Sequence, residues 1–276
     1  MNKLLRANFS RLFRDKVFRI SCVVMALAGA GLPLAHYLDK RNNGENWTAD
    51  STCFVFAFLA PILLSLTAAL FVGSEYSDGT IRNKVIVGHR RPAIYLSAFV
   101  TCGAAGILLC GAYLLPHLCL GALLLGGFDA AAGEVLLYMG LNFALVLAFA
   151  ALFTAIAMLC QNKAYSTAGC ILLVFALLFA GVSITSALNE PEFYSGYSYS
   201  ENGITITEEP EQNPHYLSGT KRQVYEFLQD FVPGGQAIQL ANMKAEKPRR
   251  LAVCDGVILL GAVGAGVWVF RRKNLK

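Results

Sequence analysis

This 276-residue chain contains few charged residues. Only 15% of its residues are Asp, Glu, Lys or Arg, whereas a soluble domain usually carries about a quarter. Hydrophobic residues make up 55% of the chain, and a water-soluble fold has no interior large enough to bury them all. The net charge of +5 comes from bases that flank apolar runs instead of collecting on one face with aromatics, so we expect no nucleic-acid partner.

Sequence motifs typical of ATP binding and of hydrolytic enzymes are also absent. No Lys is preceded by the glycines of a GxxxxGK[ST] phosphate loop, so the chain has no ATP-binding motif of its own. HExxH, GxSxG and paired intramembrane acids are absent as well. The eight cysteines lie in or beside apolar runs without a CxxC, which is typical of packing residues. We therefore predict a protein that is not an enzyme and holds no metal or cofactor.

Long apolar runs are what the sequence does contain. A helix that crosses roughly 30 Å of hydrocarbon needs about 20 mostly apolar residues, and six runs meet that length. The third run continues past Pro116 to Leu125, where the proline can kink one helix or begin a re-entrant piece. The sequence thus predicts an all-α integral membrane protein with six spans, at Ile20 to Leu38, Cys53 to Gly73, Ala93 to Leu115, Val135 to Cys160, Ala164 to Leu188 and Leu251 to Phe270.

Orientation is predicted by the bases, because short cytoplasmic loops of membrane proteins are enriched in Lys and Arg. If both termini are inside, the inner segments hold 15 of the 23 bases and three of the 18 acids. We therefore expect a cytoplasmic N-terminus and tail. Lys247, Arg249 and Arg250 run against this rule, since they precede the last span on the predicted outer side. The inner segments are 1–19, 74–92, 161–163 and 271–276.

The segment before the first span, 1–19, is predicted to form an amphipathic helix in the inner membrane interface. Leu5, Phe9 and Leu12 recur at helical spacing among bases, a pattern typical of interfacial helices. The alternative is a basic anchor of the kind that any first span with a cytoplasmic N-terminus carries.

The long segment between the last two spans, 189–250, is predicted to be extracellular. It ends in a helical pattern that contains Phe227 and Phe231 and stops at Pro233. About 60 residues suffice for a small cap but not for a conventional catalytic domain.

Asp255 is the ionisable residue deepest in a predicted span. Such a group is costly in the membrane and marks a functional site, so Asp255 can bind a cationic substrate or couple protons. The alternative, which we favour, is that its side chain reaches the outer headgroups or pairs with Arg249 or Arg250. An ion-coupled secondary transporter would use Asp255, but such proteins usually show internal repeats that this sequence lacks.

The loop at 74–92 joins the second and third predicted spans. Its apolar residues, among them Ile81 and Val85, can hold a short helix parallel to the membrane so that Glu75, Asp78, Arg82 and Lys84 face the cytoplasm. By these residues alone, an ordinary basic cytoplasmic loop is the slightly better interpretation, because such loops are common to membrane proteins of this kind.

Residues 75–91 of this loop read E-Y-S-D-G-T-I-R-N-K-V-I-V-G-H-R-R and resemble the signature loop of type-2 (ABC-2) ABC transporter permeases. That loop has an acid, a Gly-Thr-Ile/Leu-Arg/Lys-Asn core and a basic pair before the third span. In these permeases the loop contains a coupling helix, which docks on a cytoplasmic ATP-binding subunit. The resemblance implies this contact for Glu75, Asp78, Gly79, Thr80, Ile81, Arg82, Asn83 and Lys84, and a membrane-interface position for Arg90 and Arg91.

The resemblance covers nearly the whole chain, and the Pro-Gly-Gly-Gln stretch at 233–236 is similar to outer-loop sequence of bacterial members. It implies a permease subunit of the bacterial plasma membrane that acts as a homodimer or with a homologous second chain. ATP and Mg would be held by a separate ATPase subunit. The family favours export, and the sparse charge of the spans favours an amphiphilic cargo such as a lipid, peptide antibiotic or drug. A membrane sensor that recognises a peptide by its outer segment remains an alternative, as does the ion-coupled transporter.

Overall fold

The six predicted spans are confirmed. A computed structural model describes residues 1–44, 47–194, 198–201, 204–207 and 211–273, and within these ranges six helices are long and apolar enough to cross a membrane. The protein is therefore an all-α integral membrane protein. The spanning helices are α2 (Lys16–Asn43), α4 (Phe56–Ser77, preceded by the short α3, Asp50–Cys53), α6 (Arg91–Leu124), α7 (Ala132–Cys160), α8 (Lys163–Leu188) and α11 (Pro248–Arg272).

Shorter elements connect these spans. Helix α1 (Asn2–Arg14) precedes the first span, and α5 (Thr80–Ile86) lies between the second and third. The segment before the last span contains α9 (Gly219–Phe231) and α10 (Pro233–Ala241). It also holds two antiparallel pairs that the sequence pattern did not reveal, β1 (Phe193–Tyr194) with β4 (Glu211–Gln212) and β2 (Ser198–Glu201) with β3 (Ile204–Thr207).

Helix α6 resolves the ambiguity of the third span. It continues as one α-helix through Pro116 to Leu124, so this proline does not begin a re-entrant piece. Near its centre the backbone of Tyr113 approaches α2 so closely that a Cβ at Gly29 would collide with it. Only glycine permits this approach, which explains the tight packing of α2 against α6.

The centre of the bundle is formed by α4 and α7. Helix α4 contacts α2, α6, α7, α8 and α10, and α7 contacts α4, α6, α8, α10 and α11. Large side chains such as Phe71, Phe149 and Phe153 are fully buried there. The outer helices instead expose apolar residues such as Leu27, Phe179 and Leu260, as expected of surfaces that face lipid.

The bundle has two ends that differ in composition. We call the end that holds α1, α5 and Arg272 the terminal end, and the opposite end the far end. At the terminal end, Arg91 Nη1 donates to the carbonyls of Arg271 (3.0 Å) and Lys273 (2.6 Å), and Lys273 Nζ donates to Leu159 O. These bonds tie α6, α7 and α11 together. Of the predicted tail, residues 274–276 lie outside the described residues.

Helix α1 is amphipathic, as predicted, but its buried face is rotated from the expected one. Leu4, Asn8 and Leu12 are buried towards the bundle. Of the predicted stripe, Leu12 is therefore buried, whereas Leu5 and Phe9 are only partly buried. The difference arises because Asn8 is polar and was not counted in an apolar stripe.

A single residue, Asp15, separates α1 from α2. Its backbone is extended, and its side chain accepts a hydrogen bond from Phe18 N at 3.0 Å. An Asp at this position satisfies one of the free N–H groups that open a helix, so Asp15 ends α1 and begins α2.

At the far end, α9 and α10 form a helical hairpin that enters the bundle. The predicted stop at Pro233 does end α9, but Pro233 is also the first residue of α10. Gly234 packs against the backbone of Leu177, which lies about 16 Å along α8 from its far end. Residues Pro233 to Ala237 are all buried, so this part of the segment is not a separate soluble cap.

Candidate coupling site and the buried acid of the last span

The region 74–92, called here the coupling region, is shaped by two glycines. Gly79 has φ +66° and leads into α5, and Gly88 has φ +94° and follows it. A positive φ is strained for residues other than glycine, so these two glycines allow the backbone to turn at both ends of α5. The intervening helix has two turns, with one side against α4 and α6 and the other exposed.

Glu75 lies on the inner side of the coupling region. Its carboxylate is only 1% exposed, and its Oε1 accepts hydrogen bonds from Arg11 Nη1 at 2.7 Å and Lys84 Nζ at 2.5 Å. The prediction that Glu75 and Lys84 face outward is therefore wrong. A buried carboxylate is stable only with such partners, and these come from α1 and α5.

The ion pair extends into a network that joins four helices. Lys84 Nζ also donates to Asn8 Oδ1 at 3.1 Å, and Asn8 Nδ2 donates to Ser97 Oγ of α6 at 3.4 Å. Arg11 donates to Phe71 O at 2.7 Å and lies over the Phe71 ring, 3.9 Å from its centroid. Helices α1, α4, α5 and α6 are thus held together by charged and polar contacts.

Sequence reasoning missed the contribution of α1 to this network. The signal was present, since Asn8 lies between Leu4 and Leu12 at intervals of four, which places a polar side chain on a buried helical face. A buried Asn needs hydrogen-bond partners, and Ser97 and Lys84 provide them.

The outer side of the coupling region carries the remaining predicted residues. Asp78, Arg82 and Asn83 are exposed, whereas Ile81 is buried beneath them and Thr80 is half-buried. Ile86 and Val87 are 72% and 77% exposed. The region therefore presents a small surface that combines an acid, a base and two large apolar side chains, which we call the α5 surface: Asp78, Arg82, Asn83, Ile86 and Val87.

The two basic residues predicted at the membrane interface have different surroundings. Arg90 is exposed in the extended residue before α6. Arg91 is half-buried, and its guanidinium holds the last carbonyls of α11. Arg91 therefore links the coupling region to the last span.

Asp255 does not reach the membrane surface. It is 2% exposed, and neither carboxylate oxygen has a hydrogen-bond partner among the described residues. Arg250, which we expected to pair with it, instead lies 3.2 Å from Asp230 Oδ2 of α9. The interpretation that Asp255 snorkels or pairs with Arg250 is thus wrong, and the carboxyl group lies beside Gln236 of the hairpin.

Comparison with known proteins supports the resemblance of the loop. A family model described as "ABC-2 family transporter protein" matches residues 4–180. No curated protein matches the chain. The matched range includes α1, the first four spans, the coupling region and most of α8.

Proposed function

Because this chain belongs to the ABC-2 transporter family, in which it is a membrane transport subunit, we propose that a separate ATP-binding subunit drives it by docking on the α5 surface. The observation that carries the proposal is the exposure of Asp78, Arg82, Asn83, Ile86 and Val87 on α5 and the residues that flank it. ATP and Mg would be bound by the partner. This chain would contribute no cofactor site.

The α5 surface is suited to a protein partner by its composition. Exposed Ile86 and Val87 can be buried by a partner, and Asp78 and Arg82 can set its register through charge. Beneath them, Lys84 and Ile81 fix α5 to the bundle. A partner that binds one arrangement of α5 more tightly would shift the equilibrium of the bundle by that difference in affinity.

The network around Glu75 would transmit a change in the arrangement of α5 to the other helices of the bundle. Glu75 and Lys84 connect α5 to α4, Arg11 connects them to α1, and Arg91 connects the start of α6 to the end of α11. Each of these is a positioning residue, since none belongs to the α5 surface.

The orientation, cargo and assembly also belong to the proposal. The terminal end would be cytoplasmic in the bacterial plasma membrane, which is supported by its share of the Lys and Arg residues. Two copies, or this chain and a homologous one, would form the transport path. The apolar spans favour an amphiphilic cargo, because few charged side chains are available to replace the hydration of a small ion. Export is favoured by the family resemblance alone.

The docking proposal is tested by affinity purification of tagged protein in mild detergent, followed by mass spectrometry. We compare the wild type with Arg82→Glu/Ile86→Asp, which changes the α5 surface alone. Lys221→Glu/Val224→Asp is the matched control, since both residues are exposed on α9. An ATPase with a phosphate loop should be recovered with the wild type and the control and lost with the α5 variant. Recovery of no such ATPase with intact wild type contradicts the proposal.

A second candidate is favoured by the burial of Asp255. A buried carboxyl group within a span, without an ion-pair partner among the described residues, is the arrangement expected of an ion-coupled carrier. Uptake of an amphiphilic dye into inverted vesicles, where an exporter transports inward, separates the two. The carrier would follow an imposed proton or sodium gradient and fail in Asp255→Asn, whereas the ATP-driven transporter would require ATP and tolerate this change.

A further inference from the structure

We infer that a groove between α7 and α11 at the far end binds a phospholipid with a net negative headgroup. The groove, called here the basic groove, has a volume of about 750 Å³. It is lined by Leu137 and Leu141 of α7, by Lys247, and by Pro248, Arg249 and Ala252 of α11.

The groove lies where the two spanning helices begin. Arg249 lies in the first turn of α11, and Leu137 is about 8 Å from the start of α7. Both helices are membrane spans. A lipid in this groove would therefore have its headgroup beside the bases and its acyl chains along the spans.

The rim of the groove is positively charged. Lys247 and Arg249 are exposed, and neither side chain has a hydrogen bond or ion pair among the described residues. Arg250 is already paired with Asp230. Glu246 is the acid of the lining, so Lys247, Arg249 and Glu246 together leave a net charge of +1. An anionic headgroup would neutralise this excess.

The floor of the groove is apolar. Leu137 is 48% exposed, Ala252 is also exposed, and Leu141 closes the groove from behind. A soluble anion would leave these side chains uncovered, and a zwitterionic lipid would leave two bases without a counter-charge. An anionic phospholipid would cover the apolar floor with its acyl chains and supply a counter-charge to the basic rim. That counter-charge would serve Lys247 and Arg249, two of the three bases that precede the last span on the predicted outer side.

Native mass spectrometry of the purified full chain tests the inference, with phosphatidylglycerol or phosphatidylcholine added. The wild type should bind phosphatidylglycerol about tenfold more tightly than phosphatidylcholine. Lys247→Gln/Arg249→Gln should lose that preference. Lys40→Gln/Arg41→Gln, which removes an exposed Lys–Arg pair at the far end of α2, should keep it.

A second variant probes the floor without changing charge. Ala252→Trp should fill the groove and weaken phosphatidylglycerol binding about as much as the charge variant does. Equal binding of the two lipids by the wild type would overturn the inference. So would an equal loss in the Lys40/Arg41 control, or undiminished binding by Ala252→Trp. None of these measurements involves an ATP-binding subunit, so they stand apart from the docking proposal.

Discussion

Each end of the bundle contains a buried acid, and the two acids differ in their charged neighbours. At the terminal end, Glu75 is enclosed by Arg11 and Lys84, and the resulting network joins four helices. At the far end, Asp255 is equally buried, but it lies beside the neutral Gln236 and has no ion-pair partner among the described residues, since Arg250 pairs with Asp230. Burial of charge stabilises a structure only where partners replace the lost water. The first acid is therefore expected to stabilise the fold, and the second to oppose it.

Removing the charge of Glu75 should have the largest effect on stability. In Glu75→Gln, the ammonium of Lys84 and the guanidinium of Arg11 lose their shared carboxylate, and we expect unfolding to become easier by roughly 2–3 kcal/mol. This cost is smaller than that of breaking a fully buried ion pair, because the side chain of Arg11 is one-third exposed to solvent. Unfolding in SDS measures it. Asp78→Asn, an exposed acid three residues away, should stay within about 0.5 kcal/mol.

Disturbing the packing of the hairpin against α8 should have the next largest effect on stability. A Cβ at Gly234 would collide with Leu177 O, and its other neighbours are also backbone atoms of α8. Gly234→Ala should destabilise the protein by roughly 1–3 kcal/mol, since backbone cannot move aside as a side chain can. Gly264→Ala in α11 has open space around the new methyl group and serves as the control. Similar unfolding of both variants would show that the hairpin tip is not tightly packed.

The Arg250–Asp230 pair should contribute less than the Glu75 network. The side chain of Arg250 is 34% exposed, so water compensates part of its loss. We expect Arg250→Gln to cost about 1 kcal/mol. Arg249→Gln, one residue earlier and without an ion-pair partner among the described residues, should leave the unfolding free energy nearly unchanged. If Arg249→Gln proved the more damaging substitution, the pairing would be incorrectly assigned.

Asp255→Asn should have the smallest effect and the opposite sign. Asparagine has nearly the same shape but carries no charge that must be desolvated, so we expect stability to be unchanged or to rise by up to about 1 kcal/mol. The SDS unfolding curve that registers Glu75→Gln also measures this variant. A loss comparable to that of Glu75→Gln would mean that Asp255 has a strong partner after all.

The spans were predictable because they depend on local composition. Six apolar runs of sufficient length identify six helices, and each helix extends the predicted run at one or both ends. The short helix α5 was predictable from the amphipathic pattern of its own residues, whereas its coupling role stays a prediction. Both kinds of information are contained in short stretches of sequence.

What the sequence did not reveal depends on distant partners. Glu75 looks like an exposed acid until Arg11, 64 residues earlier, is placed beside it. Pro233 and the glycines after it are typical of a helix stop, and only the backbone of α8 shows why glycine is needed there. For Arg250 two acids were in reach, and the nearer along the chain, Asp255, was the wrong choice.

Asp15 has a mechanical consequence. As the single residue between α1 and α2, it supplies only one pair of rotatable backbone angles, so neither helix can slide without turning the other. Arg11 fixes α1 to the Glu75 network, and α2 exposes apolar side chains to the surrounding lipid. In the proposed function, a displacement of α5 would therefore change the tilt of α2. The bilayer beside α2 would resist this tilt elastically.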